Sequence, residues 1–295
     1  MDAVDRYPSY DCFGVKITPM TGDDLIDLYR DHVNSGRQCV TSYQNMHGLH
    51  VRLHDAALER LHRLPETFVY IDGMPLVLLC RLAGVKATRA HRVTFVDFIW
   101  SLLELADRER WRVFYLGATE EVLGAGVAAI AERLPNLQLL GHNGYFDAGD
   151  STANRHVLDE IAAFGPNLVL VGMGMPRQEK WILDNLAELA PASVCAVGAL
   201  IEYVAGAVPV PPRWMGRVGL EWSFRLFSDP KRFWFRYLVE PWVVAGSLLR
   251  HASLRPASEL PITIDSSIMG PLTAMPSGGS AGGAGPETLV TPVSG

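Results

Sequence analysis

Apolar positions along this chain change period repeatedly. Short runs that are apolar at nearly every position alternate with stretches where apolar residues return every three or four positions. The first kind predicts strands at Arg37–Thr41 (RQCVT), Thr67–Asp72 (TFVYID), Arg112–Leu116 (RVFYL), Leu137–Leu140, Asn167–Val171 and Val194–Val197. The second kind predicts helices over Asp55–Leu64, Val93–Asp107, Thr119–Leu134, Ser151–Phe164 and Arg177–Ala190. Ala56, Leu58 and Leu61 share a face of the first helix. Thr119 is placed to cap the third, with Glu120 and Glu121 in the turn where the helix dipole favours anions. Repeated strand–helix–strand order implies an α/β fold, a parallel sheet with helices on both faces.

Ligands of such sheets bind outside the carboxyl ends of the strands. That edge gathers Thr41, Asp72-Gly73, Gly117, the segment Gly172 to Gln178, and Gly198 to Glu202. In the run VLVGMGMPRQEKWI, Gly172 and Gly174 permit a tight turn and close approach to a ligand, Pro176 suits a first helical turn, and Gln178 is expected at the mouth of the site. Each feature also has a plainer reading. Gly172-x-Gly174 lacks the third glycine of a dinucleotide fingerprint, Arg177 standing there, and fits an ordinary strand-to-helix turn. Asp72 fits a turn or cap as well as a base, Arg92 a surface cation, and Thr41 a simple strand end. Gly144-Tyr145-Phe146 fits a glycine-hinged loop with two core aromatics. His142 has no partner at metal-ligand spacing and is assigned no ligand role. No P-loop exists, nor a D-x-D pair to hold a metal against a diphosphate.

Composition narrows the class. Of 295 residues, 48% are hydrophobic and 20% charged, which is globular, and the net charge of -6 gives no basic field to recruit nucleic acid. Cys12, Cys39, Cys80 and Cys195 are scattered without ligand spacing and read as reduced thiols. Met1 to Tyr10 lacks the apolar core of a secretory leader, and no apolar run reaches the ~18 residues of a spanning helix. A cytoplasmic protein is expected. Pro209 to Trp242 differs in character, interleaving Arg213, Arg217, Arg225, Lys231, Arg232 and Arg236 with tryptophan, phenylalanine and tyrosine. It fits a groove for a phosphorylated ligand, an interfacial membrane segment, or a buried aromatic helix pair with a basic face. From Pro256 the chain turns to Ser, Gly, Pro and Ala, which predicts disorder. The expected division is a core over 1–208, an appendage over 209–255 and a tail over 256–295.

Taken in order, Thr41, Asp72-Gly73, Arg92-Val-Thr with Asp97, Gly117, Gly144-Tyr-Phe, Gly172-Met-Gly-Met-Pro-Arg-Gln178-Glu-Lys-Trp, Val197-Gly198, Gly206, Pro-Arg213-Trp, Glu221-Trp-x-x-Arg225-Leu and Pro230-x-Arg232 resemble the WecG/TagA/CpsF family, glycosyltransferase family 26. The resemblance runs from about Thr41 to Trp242. It implies a Rossmann-like core whose C-terminal helical appendage binds membrane and completes the site. It also implies an inverting transfer of a sugar from a UDP-sugar to a polyprenyl-diphosphate-linked sugar, peripherally at the inner face of the bacterial membrane, in surface polysaccharide or teichoic acid synthesis, without a metal. Under that implication Asp72 is the base, and Thr41 and Gln178 bond the sugar or the reacting oxygens. Arg92 binds phosphate. Gly73, Gly117, Gly172, Gly174, Gly198 and Glu202 approach the donor. Arg225, Arg232 and Arg236 neutralise the departing diphosphate. The partners expected are the UDP-sugar, the lipid-linked acceptor and an anionic membrane surface. A homo-oligomer is left open and nucleic acid is not expected. Tyr43, Phe95, Ala199 and Glu202 depart from the family's usual Asn, Gly, Gly and Asp, which leaves the sugar undetermined. Two rivals are a module that holds a nucleotide-sugar without turnover and an NAD oxidoreductase, the latter weakened by the missing fingerprint.

Overall fold

The computed structural model describes residues 6–211, 215 and 220–251, which fall in one compact unit. A hairpin of β1 (Tyr10–Cys12) and β2 (Val15–Ile17) leads into α1 (Gly22–Ser35). Then come β3 (Val40–Gln44), α2 (Met46–Arg52), α3 (Ala56–Arg63), β4 (Thr67–Ile71), α4 (Met74–Leu82) and α5 (Phe95–Arg108). The second half runs β5 (Arg112–Gly117), α6 (Glu120–Arg133), β6 (Gln138–His142), α7 (Ser151–Phe164), β7 (Leu168–Gly172), α8 (Arg177–Asn185), β8 (Ser193–Ala196) and α9 (Leu200–Val204). Three helices close the described chain: α10 (Glu221–Ser228), α11 (Pro230–Leu238) and α12 (Glu240–His251). Strands β3 to β8 form a six-stranded sheet, all pairs parallel, in the order β4-β3-β8-β7-β5-β6.

The continuous apolar runs follow from burial on both faces. Every position of β4, β7 and β8 is buried. Alternate side chains feed opposite cores. Val113, Tyr115, Leu168 and Leu170 join one cluster with Leu102, Leu105 and Leu123 of α5 and α6. Phe114, Leu116, Val169 and Val171 join another with Val157 and Ile182 of α7 and α8. A third cluster lies under the hairpin, where Ile17, Val69, Ile71, Leu76 and Cys80 meet. Cys12, Cys39, Cys80 and Cys195 are all buried thiols.

The alternation was read correctly, but not every boundary was. β3 begins at Val40 and runs to Gln44, three residues beyond the expected end at Thr41. Beyond Thr41, its residues Ser42 and Gln44 are polar yet buried, so hydropathy did not carry the strand on to them. The hairpin and helices α1, α2 and α4 were not foreseen. For α1 the signal was present: Thr21 accepts from the Asp24 N–H and Asp24 accepts from the Thr21 N–H, a capping box, and Gly36 ends the helix at φ 62°. α8 stops at Asn185 and passes into a tight turn to Leu189, short of the expected Ala190.

The C-terminal helices pack on the α/β core. Val244 of α12 is 2% exposed within the cluster of Val69, Ile71 and Leu76. Glu240 is 3% exposed and its Oε2 lies 2.9 Å from His47 Nδ1 on α2. Among the described residues no helix is long and apolar enough to cross a membrane. Arg213, Arg217 and the low-complexity stretch from Pro256 lie outside the described residues.

Candidate active site

β4 ends at Ile71 and the chain turns through Asp72 into α4. The Asp72 N–H donates to the Gln44 carbonyl at 2.9 Å, which ties this turn to the end of β3. Asp72 Oδ2 accepts from Asn45 Nδ2 at 3.0 Å, and Asn45 is itself held by capping α2 through the Gly48 N–H at 2.9 Å. The carboxylate is thus oriented by an amide that cannot swing freely. It faces a cavity of about 820 Å³ whose lining includes Asp72, Gly73, Arg92, Arg225 and Arg236. Leu78, Trp222 and Leu238 bring apolar surface to the same cavity.

Arg92 enters because Val93 donates to the Ile71 carbonyl at 2.9 Å, extending the sheet edge beside Asp72. Its side chain is 16% exposed and lies 3.2 Å from Glu221 of α10 and 3.3 Å from Asp97. Arg225 sits over the Tyr203 ring at 5.6 Å, and its buried Nε has no hydrogen-bond partner. Burial acts to lower its pKa, but Tyr203, Tyr237, Asp72 and Glu221 outweigh this and raise it. This guanidinium therefore stays charged and carries an unused donor, which an anionic ligand would satisfy.

Other expected residues lie elsewhere. Thr41 is inside β3, fully buried, its hydroxyl 2.6 Å from that of Tyr29, so it does not stand at a strand end. Gln178 is also fully buried and not at the mouth. Its Oε1 accepts from the Gly174 and Gly198 N–H groups at 3.2 and 3.1 Å, clamping the turns after β7 and β8 together. Gly117 and Gly172 serve close packing of those strand ends: a Cβ on Gly117 would stand 2.4 Å from the Gly172 carbonyl oxygen. Gly174, in contrast, opens on free space. Glu202 lies on α9, outside the cavity lining. Arg232 is exposed on α11 beside Phe233 and does not reach the cavity. Arg89, Asn45 and Glu221 line it and were missed. Arg89 lies only three positions before Arg92, and Glu221 opens the Glu221-Trp motif.

The family model described as "Glycosyl transferase WecG/TagA/CpsF family" matches residues 10–258. The chain belongs to this family. It is similar to Staphylococcus aureus proteins named N-acetylglucosaminyldiphosphoundecaprenol N-acetyl-beta-D-mannosaminyltransferase, from strains MW2, NCTC 8325 / PS 47 and MRSA252. Each is 32% identical over 179 residues, covering 61% of this chain and 67% of the relative. Membership makes the chain an enzyme of glycosyl transfer and removes the oxidoreductase reading.

In this WecG/TagA/CpsF-family protein, Tyr43 lies beside the clamp. Its hydroxyl sits 2.6 Å from where a Gly198 side chain would begin, and burial raises its pKa, with Glu179 and Asp72 adding to the shift. Glu179 was not singled out from sequence. It is fully buried; Oε1 accepts from Gln178 Nε2 at 2.6 Å and Oε2 has no partner. Burial pushes its carboxyl up to about 7, against the lowering effect of the Gln178 bond. Because the folded pKa lies above the unfolded one, this group favours the fold below about pH 4.5, and that contribution is lost as pH rises through about 7. Glu179→Gln should therefore gain Tm over the parent as pH rises from about 5 to about 8. Thermal melts across that range check it, and a constant gap would show that Glu179 does not titrate there.

His142 is not isolated. His156 and Glu160 of α7 bring ligand atoms within 4.8 Å of it.

Proposed function

We propose that the chain is an inverting hexosyltransferase that moves a sugar from a UDP-sugar to a polyprenyl-diphosphate-linked sugar at the inner face of the cell membrane. The observation that carries this reading is the placement of Asp72 in one cavity with Arg92, Arg225 and Arg236, in a family whose S. aureus members are named for such an acceptor. Asp72 takes the proton from the acceptor hydroxyl as that oxygen bonds to the anomeric carbon. The bond from that carbon to the UDP oxygen breaks, and the diphosphate leaves with its electron pair. Arg225 and Arg236 offset the charge that develops on it. Arg92 holds phosphate once its pairing with Glu221 and Asp97 is exchanged for the ligand. The nucleotide runs along the carboxyl ends of β7 and β8, beside Gly174 and Glu202.

The membrane half of the proposal rests on exposed apolar side chains. Trp222, Phe227, Trp234, Leu238 and Trp242 of α10 to α12 are exposed, with Phe227 at 81% and Trp242 at 78%, and Leu78 and Leu82 of α4 add to them. Trp222, Leu78 and Leu238 also touch the cavity. That surface suits headgroup depth and would admit a lipid-linked diphosphate from the bilayer side.

Release of UDP from a panel of UDP-hexoses and UDP-N-acetylhexosamines, with a lipid-diphosphate sugar acceptor, tests the reading. Release that depends on acceptor supports it; binding without release would leave the non-catalytic module. Transfer should also survive EDTA, because arginines line the cavity where a D-x-D enzyme would place a metal. A strict Mg²⁺ or Mn²⁺ requirement would overturn that part.

A further inference from the structure

β6 ends at His142 on the edge of the sheet opposite β4, which leads into Asp72. Five inter-strand steps of about 4.8 Å put the two strand ends roughly 24 Å apart. Here α7 carries His156 and Glu160 one helical turn apart, on the same face. Ligand atoms of His142, His156 and Glu160 all lie within 4.8 Å of one another.

Three features ready these groups for a cation. His142 Nδ1 lies 2.7 Å from the Asn143 carbonyl oxygen. A carbonyl only accepts, so Nδ1 donates in this pair and Nε2 is the ring nitrogen left for a metal, the arrangement in which a metal-binding imidazole is held by its outer partner. The Phe146 ring meets His142 edge-on at 5.7 Å and limits its rotation. Glu160 Oε2 is buried without a hydrogen-bond partner, a costly condition for a carboxylate oxygen that a bound cation would relieve.

We infer that His142, His156 and Glu160 form a structural site for a divalent transition-metal ion, zinc by ligand chemistry, which pins α7 to the end of β6. Two imidazoles and one carboxylate favour zinc, cobalt or nickel over magnesium or calcium, which prefer all-oxygen shells. Tetrahedral bonds of about 2.1 Å require ligand atoms roughly 3.4 Å apart, so side-chain rotation of about 1 Å closes the set. Water completes the coordination. The ion braces the segment that follows His142. That segment includes Gly144, where a Cβ would stand 2.8 Å from Gly117 Cα, and Phe146, whose carbonyl accepts from Arg177. The bracing thus reaches the turns at the ends of β5 and β7. The site is separate from the Asp72 cavity, and its role is stability rather than turnover.

The full-length chain, stripped with EDTA and dialysed, would be titrated with Zn²⁺ against a chromophoric chelator and with Co²⁺ by visible absorption. One ion per chain is expected, with a low-symmetry Co²⁺ spectrum. Zn²⁺ at about 100 times its Kd should raise Tm by roughly 5 °C. His156→Ala and Glu160→Ala should each weaken affinity at least about tenfold and abolish the Tm shift. His156 is exposed, so His156→Asn gives a second variant with little risk to folding. The inference is overturned if the parent chain takes up neither ion, or if both variants bind as tightly as the parent, which would place binding on others of the nine histidines. Loss of UDP-release activity on stripping, restored by Zn²⁺, would overturn the structural role. Such a loss would leave the assignment of Asp72 to be judged by its own variant.

Discussion

Asp72→Asn is expected to lower turnover by about 10²–10⁴-fold, the usual worth of a positioned general base. UDP affinity and Tm should stay close to the parent values. Asparagine keeps the volume and the branching of the side chain, and its carbonyl oxygen can still accept from Asn45 Nδ2, so the link to the α2 cap survives. The basic oxygen is lost. Since Asn45 already uses Oδ2, the other oxygen is the one available to the acceptor hydroxyl. Steady-state UDP release and calorimetric titration with UDP separate the two quantities. Near-parental turnover would remove Asp72 from the mechanism, whereas a joint loss of turnover and UDP binding would mark it as a binding group.

The alternation of strands and helices was legible because both faces of the sheet are covered. Burial on two sides forces apolar runs such as Leu168–Val171, and hydropathy sees those directly. β3 was cut short in the reading because the hydroxyls of Thr41 and Ser42 meet hydrogen-bond partners in the interior and Gln44 is buried without being apolar, and a polar strand carries no periodic signal. The strand-end rule still placed Asp72 and Gly73 at the cavity, since it depends only on where β4 stops, while Arg92 was reached through the family resemblance alone. The rule said nothing of depth. Gln178 and Gly117 sit at the correct edge yet face inward, one clamping turns and the other making room for Gly172. Arg232 illustrates the remaining difficulty. Arg225, Arg232 and Arg236 are alike in sequence, and only the packing of α10 and α11 against the core decides which of them reach the cavity. His142 was unreadable for a related reason: its partners lie on α7, and contact across the fold does not appear as ligand spacing.

That division among the arginines gives the second large effect. Arg225→Ala should reduce turnover by about 10²–10³-fold, the range seen when a donor to developing negative charge is removed. The residue lines the cavity, lies over Tyr203, and feels Asp72 and Glu221 electrostatically. Its buried Nε lacks a partner, so a donor is free for the ligand. Arg225→Lys should recover little, because an ammonium cannot present the planar fork to two phosphate oxygens. Binding to anionic vesicles should hardly change, since this side chain faces the cavity. Arg232→Ala is expected to behave in the opposite way. It is exposed beside Phe233 and outside the cavity, so turnover on a detergent-dispersed acceptor should stay near the parent. Partition onto anionic vesicles should weaken by roughly fivefold, the worth of one surface cation. The Arg232 N–H that donates to Asp229 belongs to the backbone and survives the change, so α11 keeps its cap. Vesicle sedimentation and UDP release on both variants therefore read two different functions from two neighbouring helices. Equal losses of turnover in Arg225→Ala and Arg232→Ala would show that α11 rotates to bring Arg232 inward when substrate binds, and the separation drawn here between a diphosphate-binding and a lipid-facing arginine would fall.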